Sequence, residues 1–149
     1  MPRAPRSSLP DGYFHVFARG VPAAGQLFRD DEDRRVFLAL TRLAGRKHQW
    51  TYHAICVLGT HYHLVLEATR ERLSAGLQGL NWLYAKHFNA KYGLFGHVFA
   101  DRFSARAIEG EEHLYDACAY VLLNPVREGL CERLGEWPWS YSSHGLVTG

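Results

Sequence analysis

Hydrophobic and polar positions recur along this chain with two different periods, and the switches between them outline its elements. Tyr13 to Arg19 (Tyr-Phe-His-Val-Phe-Ala-Arg) is aromatic and β-branched, and Gly20 and Pro22 break it. This predicts a strand followed by a loop. From Asp30 to Gly45 the period lengthens to that of a helix, with Val36, Phe37, Leu40, Leu43 and Ala44 on one stripe. Asp30, Asp31, Glu32 and Asp33 suit the positive end of its dipole, and Gly45 with Arg46 and Lys47 suits its end.

Trp50–Leu58 and His61–Ala68 are β-rich runs separated by Gly59-Thr60, which predicts an antiparallel hairpin. In the second run Tyr62, Leu64 and Leu66 share one face, and His61, His63, Val65 and Glu67 share the other. Leu73, Leu77, Leu80, Tyr84 and Phe88 form the stripe of a helix over Leu73–Asn89, weakened by Gly76 and Gly79. Val98–Ile108 reads as a fourth strand, with Arg102, Ser104 and Arg106 on one face. Glu111–Leu123 reads as a third helix with Leu114, Ala117, Cys118 and Val121 buried, and the remainder is rich in turns. The order matches a split β-α-β sandwich of the ferredoxin-like kind. The expected fold is α+β: a four-stranded antiparallel sheet with helices on one face and the other face free, plus a C-terminal helix and tail.

Composition narrows this picture without redirecting it. A chain of 149 residues fits one domain. Residues 11–149 are expected to form it, with a tail from about residue 131 and a flexible arm over residues 1–10. A net charge of +2 permits a nucleic-acid partner if basic groups concentrate on one face. Cys56, Cys118 and Cys131 match no zinc spacing, and two of them sit in apolar runs, as free buried thiols do. The absence of a signal peptide and of an apolar run near the roughly 20 residues that span a bilayer predicts a soluble cytoplasmic protein, with no membrane partner.

Candidate chemistry centres on His61-Tyr62-His63. Residues two apart on a strand point the same way, so the imidazoles sit side by side with Tyr62 behind them. Such a pair is either a clamp for a divalent cation or two ordinary surface histidines. A cation site needs a further ligand, for which Glu67, Glu109 and Asn124 are candidates. Asn124 also reads as the cap of a short helix begun by Pro125, a role compatible with ligation. Tyr120 lies four residues before Asn124 and off the buried stripe. Tyr115 on the same helix is its rival. A phenol ordinarily ionises near pH 10, so a tyrosine nucleophile needs help, and a cation that assists it also neutralises an attacked phosphodiester. Arg19, Arg102 and Arg106 are candidate DNA contacts, with Lys86 and Arg127 behind them. Phe103, Trp137 and Trp139 are candidates for stacking on unpaired bases. No phosphate-binding glycine loop is present: Gly93-Leu94-Phe95-Gly96 lacks the Lys-Ser/Thr such a loop requires.

Six blocks in shared order resemble the REP-associated tyrosine transposases, part of the single-tyrosine HUH transposase group. They are residues 13–20, 27–33, 61–67 (His-Tyr-His-Leu-Val-Leu-Glu), 96–103, 120–130 (Tyr-Val-Leu-Leu-Asn-Pro-Val-Arg-Glu-Gly-Leu) and 137–141. The resemblance covers about residues 13–143. It implies a ferredoxin-like fold, His61 and His63 as metal ligands, Tyr120 as the nucleophile in place of Tyr115, and Asn124 at the position of a third ligand. It also implies magnesium or manganese as cofactor and single-stranded DNA bearing a hairpin, such as a repetitive extragenic palindrome, as substrate. Cleavage would leave a 5′-phosphotyrosine link and a free 3′-hydroxyl. The resemblance is compatible with a monomer or a homodimer, found on the nucleoid when DNA-bound. Leu58-Gly59-Thr60 stands where the family has Met-Pro-Asn, and Glu128 where it has Ala. The alternative is a non-catalytic single-stranded nucleic-acid-binding protein of the same fold, which needs neither the histidine pair nor Tyr120. A metal-sensing regulator, the third alternative, needs no tyrosine.

Overall fold

The structure, a computed structural model, describes residues 11–100 and 103–143. The arm expected over residues 1–10, and Arg102, lie outside them. In chain order the elements are β1 (Gly12–Arg19), a 3-10 turn (Pro22–Ala24), α1 (Asp31–His48), β2 (Thr51–Val57), β3 (His61–Ala68), α2 (Arg70–Tyr92), β4 (Ser104–Ile108), α3 (Gly110–Arg127) and β5 (Ser140–Ser142). Every strand pairing is antiparallel, in the order β4-β1-β3-β2-β5. The first four strands and two helices form the expected ferredoxin-like sandwich. The fifth strand was not expected. It adds three residues beside Ala54–Cys56, and is too short to show a period.

Local chemistry explains where the helices begin. The Asp30 carboxylate accepts from the Asp33 amide at 2.9 Å, and the Thr69 hydroxyl accepts from the Arg72 amide at 3.3 Å. The faces follow from period. Phe14 and Val16 of β1 and Tyr62, Leu64 and Leu66 of β3 pack with Phe37 of α1 and with the α2 stripe Leu73, Leu77, Leu80, Tyr84 and Phe88. The other sheet face is not left free, as the sandwich alone predicts. Leu114, Ala117, Cys118, Val121 and Leu122 of α3 cover it over Ala54, Cys56 and Val65. α3 is bound to take that side, because its apolar stripe has no other apolar surface to meet.

Two expectations are corrected here. Asn124-Pro125 does not start a new helix: α3 runs through both to Arg127, with Pro125 inside it. Proline lacks the amide that would bond the Val121 carbonyl, and its ring crowds that turn, but packing of the helix on the sheet outweighs the penalty. The fourth strand is Ser104–Ile108 rather than Val98–Ile108; Phe99 makes an isolated bridge to Gly20 instead. Among the described residues no helix is long and apolar enough to cross a membrane.

Gly76, which weakened the second helix on propensity grounds, is there for Trp50. The indole donates to the Arg72 carbonyl at 3.1 Å and lies over Gly76, where an added Cβ would come within 2.2 Å of the ring. At Gly79 an added Cβ meets nothing within 4 Å. Overpacking against a rigid ring costs about 1–3 kcal/mol, against a helix-propensity gain of about 1 kcal/mol for Ala. In urea unfolding, Gly76→Ala is therefore expected to lower stability by up to about 2 kcal/mol, and Gly79→Ala to raise it by about 0.5–1 kcal/mol.

Candidate active site

The central strand β3 carries the histidines, and what lies behind it holds them in register. Tyr62 is wholly buried on the opposite face and donates its hydroxyl to Asn81 Oδ1 at 2.6 Å. The turn before His61 is pinned as well: the Gly59 carbonyl accepts from the Leu27 and Phe28 amides, and the Thr60 carbonyl from Gly20. Antiparallel register sets Arg19 opposite His61, Phe17 opposite His63, and Arg106 opposite His15. Paired residues share a face, so all of these join the histidines' side of the sheet.

α3 crosses this face. Tyr120, Asn124 and Glu128 are spaced by four and form one row along it. At one end of the row the Tyr120 ring lies 6.2 Å from that of His63 and 5.9 Å from that of His15. At the other end Glu128 Oε2 lies 3.4 Å from His61 Nε2. Asn124, one turn from each, sits between them; it is only 7 % exposed, and its Nδ2 has no hydrogen-bond partner. The two ends of a side-chain amide are interchangeable by rotation, so this orphaned position presents a donor or an oxygen acceptor. Arg127 covers the Tyr120 ring face, its guanidinium carbon 4.2 Å from the centroid, and Nη2 donates to the Tyr120 backbone carbonyl.

Electrostatics keeps the imidazoles neutral. Burial, with the neighbouring His15, His61 and Arg127, pushes His63 down to about 3. Burial, with Arg106 and His113, pushes His15 down to about 4. Burial also lowers His61, against the opposing pull of the Glu128 carboxylate. Neutral imidazoles keep the lone pairs a metal needs. His61 Nδ1 lies 3.1 Å from Thr60 Oγ1 and its Nε2 faces the Glu128 carboxylate, while His63 Nδ1 lies 3.0 Å from His15 Nε2, which leaves Nε2 of His63 for another partner. Among the described residues no three His, Cys, Asp or Glu side chains converge on one point. Two neutral imidazoles joined by an orphaned buried amide nevertheless fit a divalent cation.

The structure brings together His61, His63, Tyr120 and Asn124, with Arg19 and Arg106 on the same sheet face. It separates the rival ligands. Glu67 stands exposed six residues along β3 from His61, roughly 20 Å at strand rise. Glu109 caps the far end of α3, where its amide donates to His113 Nδ1 at 3.0 Å. Tyr115 is exposed, and among the described residues no ring contact joins it to the histidines. The expected stacking aromatics are not available: Phe103 is buried and Trp139 packs against the core, while Trp137 is partly buried and donates to the Val57 carbonyl. Among the described residues the exposed aromatics are instead Trp82, which Lys86 approaches, Phe95, Tyr115, Tyr120 and Tyr141.

Sequence reasoning missed His15, His113, Asp116 and Glu128. Beside Tyr120 a cavity of about 730 Å³ is lined by His15, His63, Arg106, His113 and Asp116. Because His113 Nδ1 accepts from a backbone amide, its neutral ring carries the proton on Nε2. The missed residues come from β1 and from both ends of α3, and no local spacing links them. Only the strand parity shared by His15, Phe17 and Arg19 offered a signal.

No family model matches the chain, and no curated protein sequence does. Solved structures match in fold. A REP-associated tyrosine transposase bound to a REP hairpin superposes with a TM-score of 0.77 at 20 % identity, over 100 % of this chain and 94 % of that one. A candidate transposase from Deinococcus radiodurans R1 superposes with a TM-score of 0.53 at 13 % identity, over 78 % of this chain and 92 % of that one. At these identities the shared property is the fold.

The buried neutral histidines carry a prediction. A histidine whose folded pKa lies below its unfolded value stabilises fully above about pH 6.5. That stability drains away as pH falls toward the folded value, because the unfolded chain binds the extra protons. In EDTA, the unfolding free energy is expected to fall between pH 6.5 and about pH 4, by up to about 1.4 kcal/mol per pH unit per histidine. His63→Leu should flatten the slope; an unchanged slope would place the titration elsewhere.

Proposed function

We propose that this chain is a metal-dependent single-strand DNA endonuclease and strand transferase, a transposase of the single-tyrosine HUH kind. Its substrate is hairpin or palindromic repeat DNA, and it works through a 5′-phosphotyrosine intermediate. One observation carries the reading: an exposed tyrosine, Tyr120, stands against His63 on a helix whose next two turns supply a buried orphaned amide and a contact to His61. A binding module has no use for that convergence. The fold shared with a transposase that was solved on a REP hairpin supports the choice of DNA as partner.

In this reading the Tyr120 phenolic oxygen attacks the scissile phosphorus. A P–O bond to tyrosine forms, the P–O3′ bond breaks, and the departing 3′-oxygen ends as a hydroxyl, taking up a proton as the phenol gives one up. The DNA 5′-phosphate is left on Tyr120. Strand transfer is the reverse: an incoming 3′-hydroxyl attacks the phosphotyrosine, and the tyrosine leaves. Bond energy is conserved, so no nucleotide is consumed. His61, His63 and Asn124 would hold the divalent cation, Mg²⁺ or Mn²⁺, and when bound it neutralises charge on the attacked phosphodiester. The guanidinium of Arg127 holds the Tyr120 ring and favours negative charge developing on it. Arg106, which lines the adjoining cavity, and Arg19, opposite His61 on β1, would contact phosphate oxygens. Arg102 keeps the same proposed role, outside the described residues. Tyr120 meets His63 within one chain, so a monomer suffices for this arrangement.

The test is incubation of the protein with hairpin-bearing single-stranded DNA and Mg²⁺ or Mn²⁺, followed by a denaturing gel. A covalent protein–DNA band is expected from the wild type and is expected to be lost in Tyr120→Phe. The absence of any band across a broad hairpin panel would sink the catalytic reading. A second outcome separates binding from chemistry: His61→Ala is expected to abolish cleavage while hairpin affinity in EDTA stays near wild type. Normal cleavage by His61→Ala would show that the metal site is misassigned.

A further inference from the structure

His63 has an inner neighbour that the proposed chemistry does not use. His15 lies on β1, opposite Val65 and diagonal to His63 on the same sheet face. Its Nε2 is 3.0 Å from His63 Nδ1. Both rings are largely buried, and Arg106 and His113 are the charged and titratable groups around His15. Two ring nitrogens at this separation hydrogen-bond only when one donates and the other accepts. The direction of that one bond decides which nitrogen of His63 is free. If Nδ1 of His63 donates, Nε2 keeps a lone pair; if Nδ1 accepts, Nε2 carries a proton and cannot ligate.

The other neighbours of His63 do not settle the matter. The rings of Phe17, His61 and Tyr120 pack around it at centroid distances of 5.0, 5.2 and 6.2 Å, as apolar or edge contacts. His15 is the partner within hydrogen-bond reach of His63 Nδ1. His61 solves the same problem locally, with the hydroxyl of the preceding Thr60 at its Nδ1. His63 has Tyr62 and Leu64 on either side, both facing the other core, so its partner comes from another element, here β1.

We propose that His15 is a positioning residue. Its Nε2 accepts the Nδ1 proton of His63, fixing the ring's tautomer and rotation so that Nε2 of His63 faces the cation site. This rests on the metal role proposed above for His63. The arrangement is the one in which a ligating imidazole hands its second N–H to a fixed acceptor, and removal of such acceptors weakens metal binding by about 10–100-fold. A neutral imidazole acceptor supplies the orientation without adding negative charge where a phosphodiester must enter.

Two measurements on the full chain test it. Long-range ¹H–¹⁵N NMR of the wild type in EDTA at neutral pH is expected to show His63 with its proton on Nδ1. A proton on Nε2 overturns the proposal. Calorimetric titration with Mn²⁺ is expected to show about 10–100-fold weaker binding in His15→Phe, and near wild-type binding in His15→Gln, whose Oε1 restores an acceptor at similar reach. Wild-type Mn²⁺ affinity in His15→Phe overturns the proposal, as does equal loss in both variants while both remain folded. A wild type that binds no Mn²⁺, with His63 in the Nδ1–H form, would instead sink the metal reading and still support the direction of the His15–His63 bond.

Discussion

Burial of β3 on both faces is the constraint from which the rest of the structure follows. One face must be apolar enough to carry α1 and α2, and Tyr62, Leu64 and Leu66 meet that demand. The other face lies under α3, so the histidines that project there are largely withdrawn from water. Desolvation disfavours their charge, for His61 against the pull of Glu128. A histidine pair on an open sheet face would sit near its ordinary pKa of about 6.5, with about a quarter of each ring charged at pH 7. Here the layer that buries the pair also delivers Tyr120, Asn124 and Glu128 to it.

α3 therefore has two jobs, divided between its faces. Leu114, Ala117, Cys118, Val121 and Leu122 anchor it to the sheet, while the row at Tyr120, Asn124 and Glu128 runs over the histidines. Pro125 shows how strongly that packing dominates local preference. Proline disfavours a helical interior by about 3 kcal/mol, yet the helix continues through it. In the same last turn Arg127 reaches back to the Tyr120 carbonyl and lies across its ring. Tyr120 is thus exposed but held.

A second layer of order lies behind the site. Asp33 is fully buried at the start of α1, yet accepts from the Arg29 amide, His87, Lys91 and Tyr92. These bonds hold its carboxyl below the usual range despite desolvation, and they tie the start of α1 to the end of α2. With the Trp50 indole seated on Gly76, they lock the two helices against the sheet. The hairpin carrying His61 and His63 consequently rests on a rigid support, and a metal or phosphate site needs its ligands fixed to well under an ångström.

The chain's own periodicity determined a good deal. The strand parity of β3, the stripes of α2 and α3, and the α+β order were legible because local period reports which face is buried, whereas in α1 Leu43 of the expected stripe is exposed and Thr41 is buried instead. The placement of His61 and His63 on one face, with Tyr62 behind, followed from parity alone. Tertiary structure decided what period does not encode. β5 is three residues long and exists only because the edge of β2 is there to receive it. Asn124 reads locally as a cap, and only packing of α3 on the sheet makes it a buried amide in mid-helix. Glu67 was a candidate ligand in sequence beside Asn124, and the length of β3 sets it apart from His61. His15 and His63 are 48 positions apart and meet only because β1 and β3 pair in one register. Contacts between strands depend on register, which the whole core sets, so no local pattern announces them.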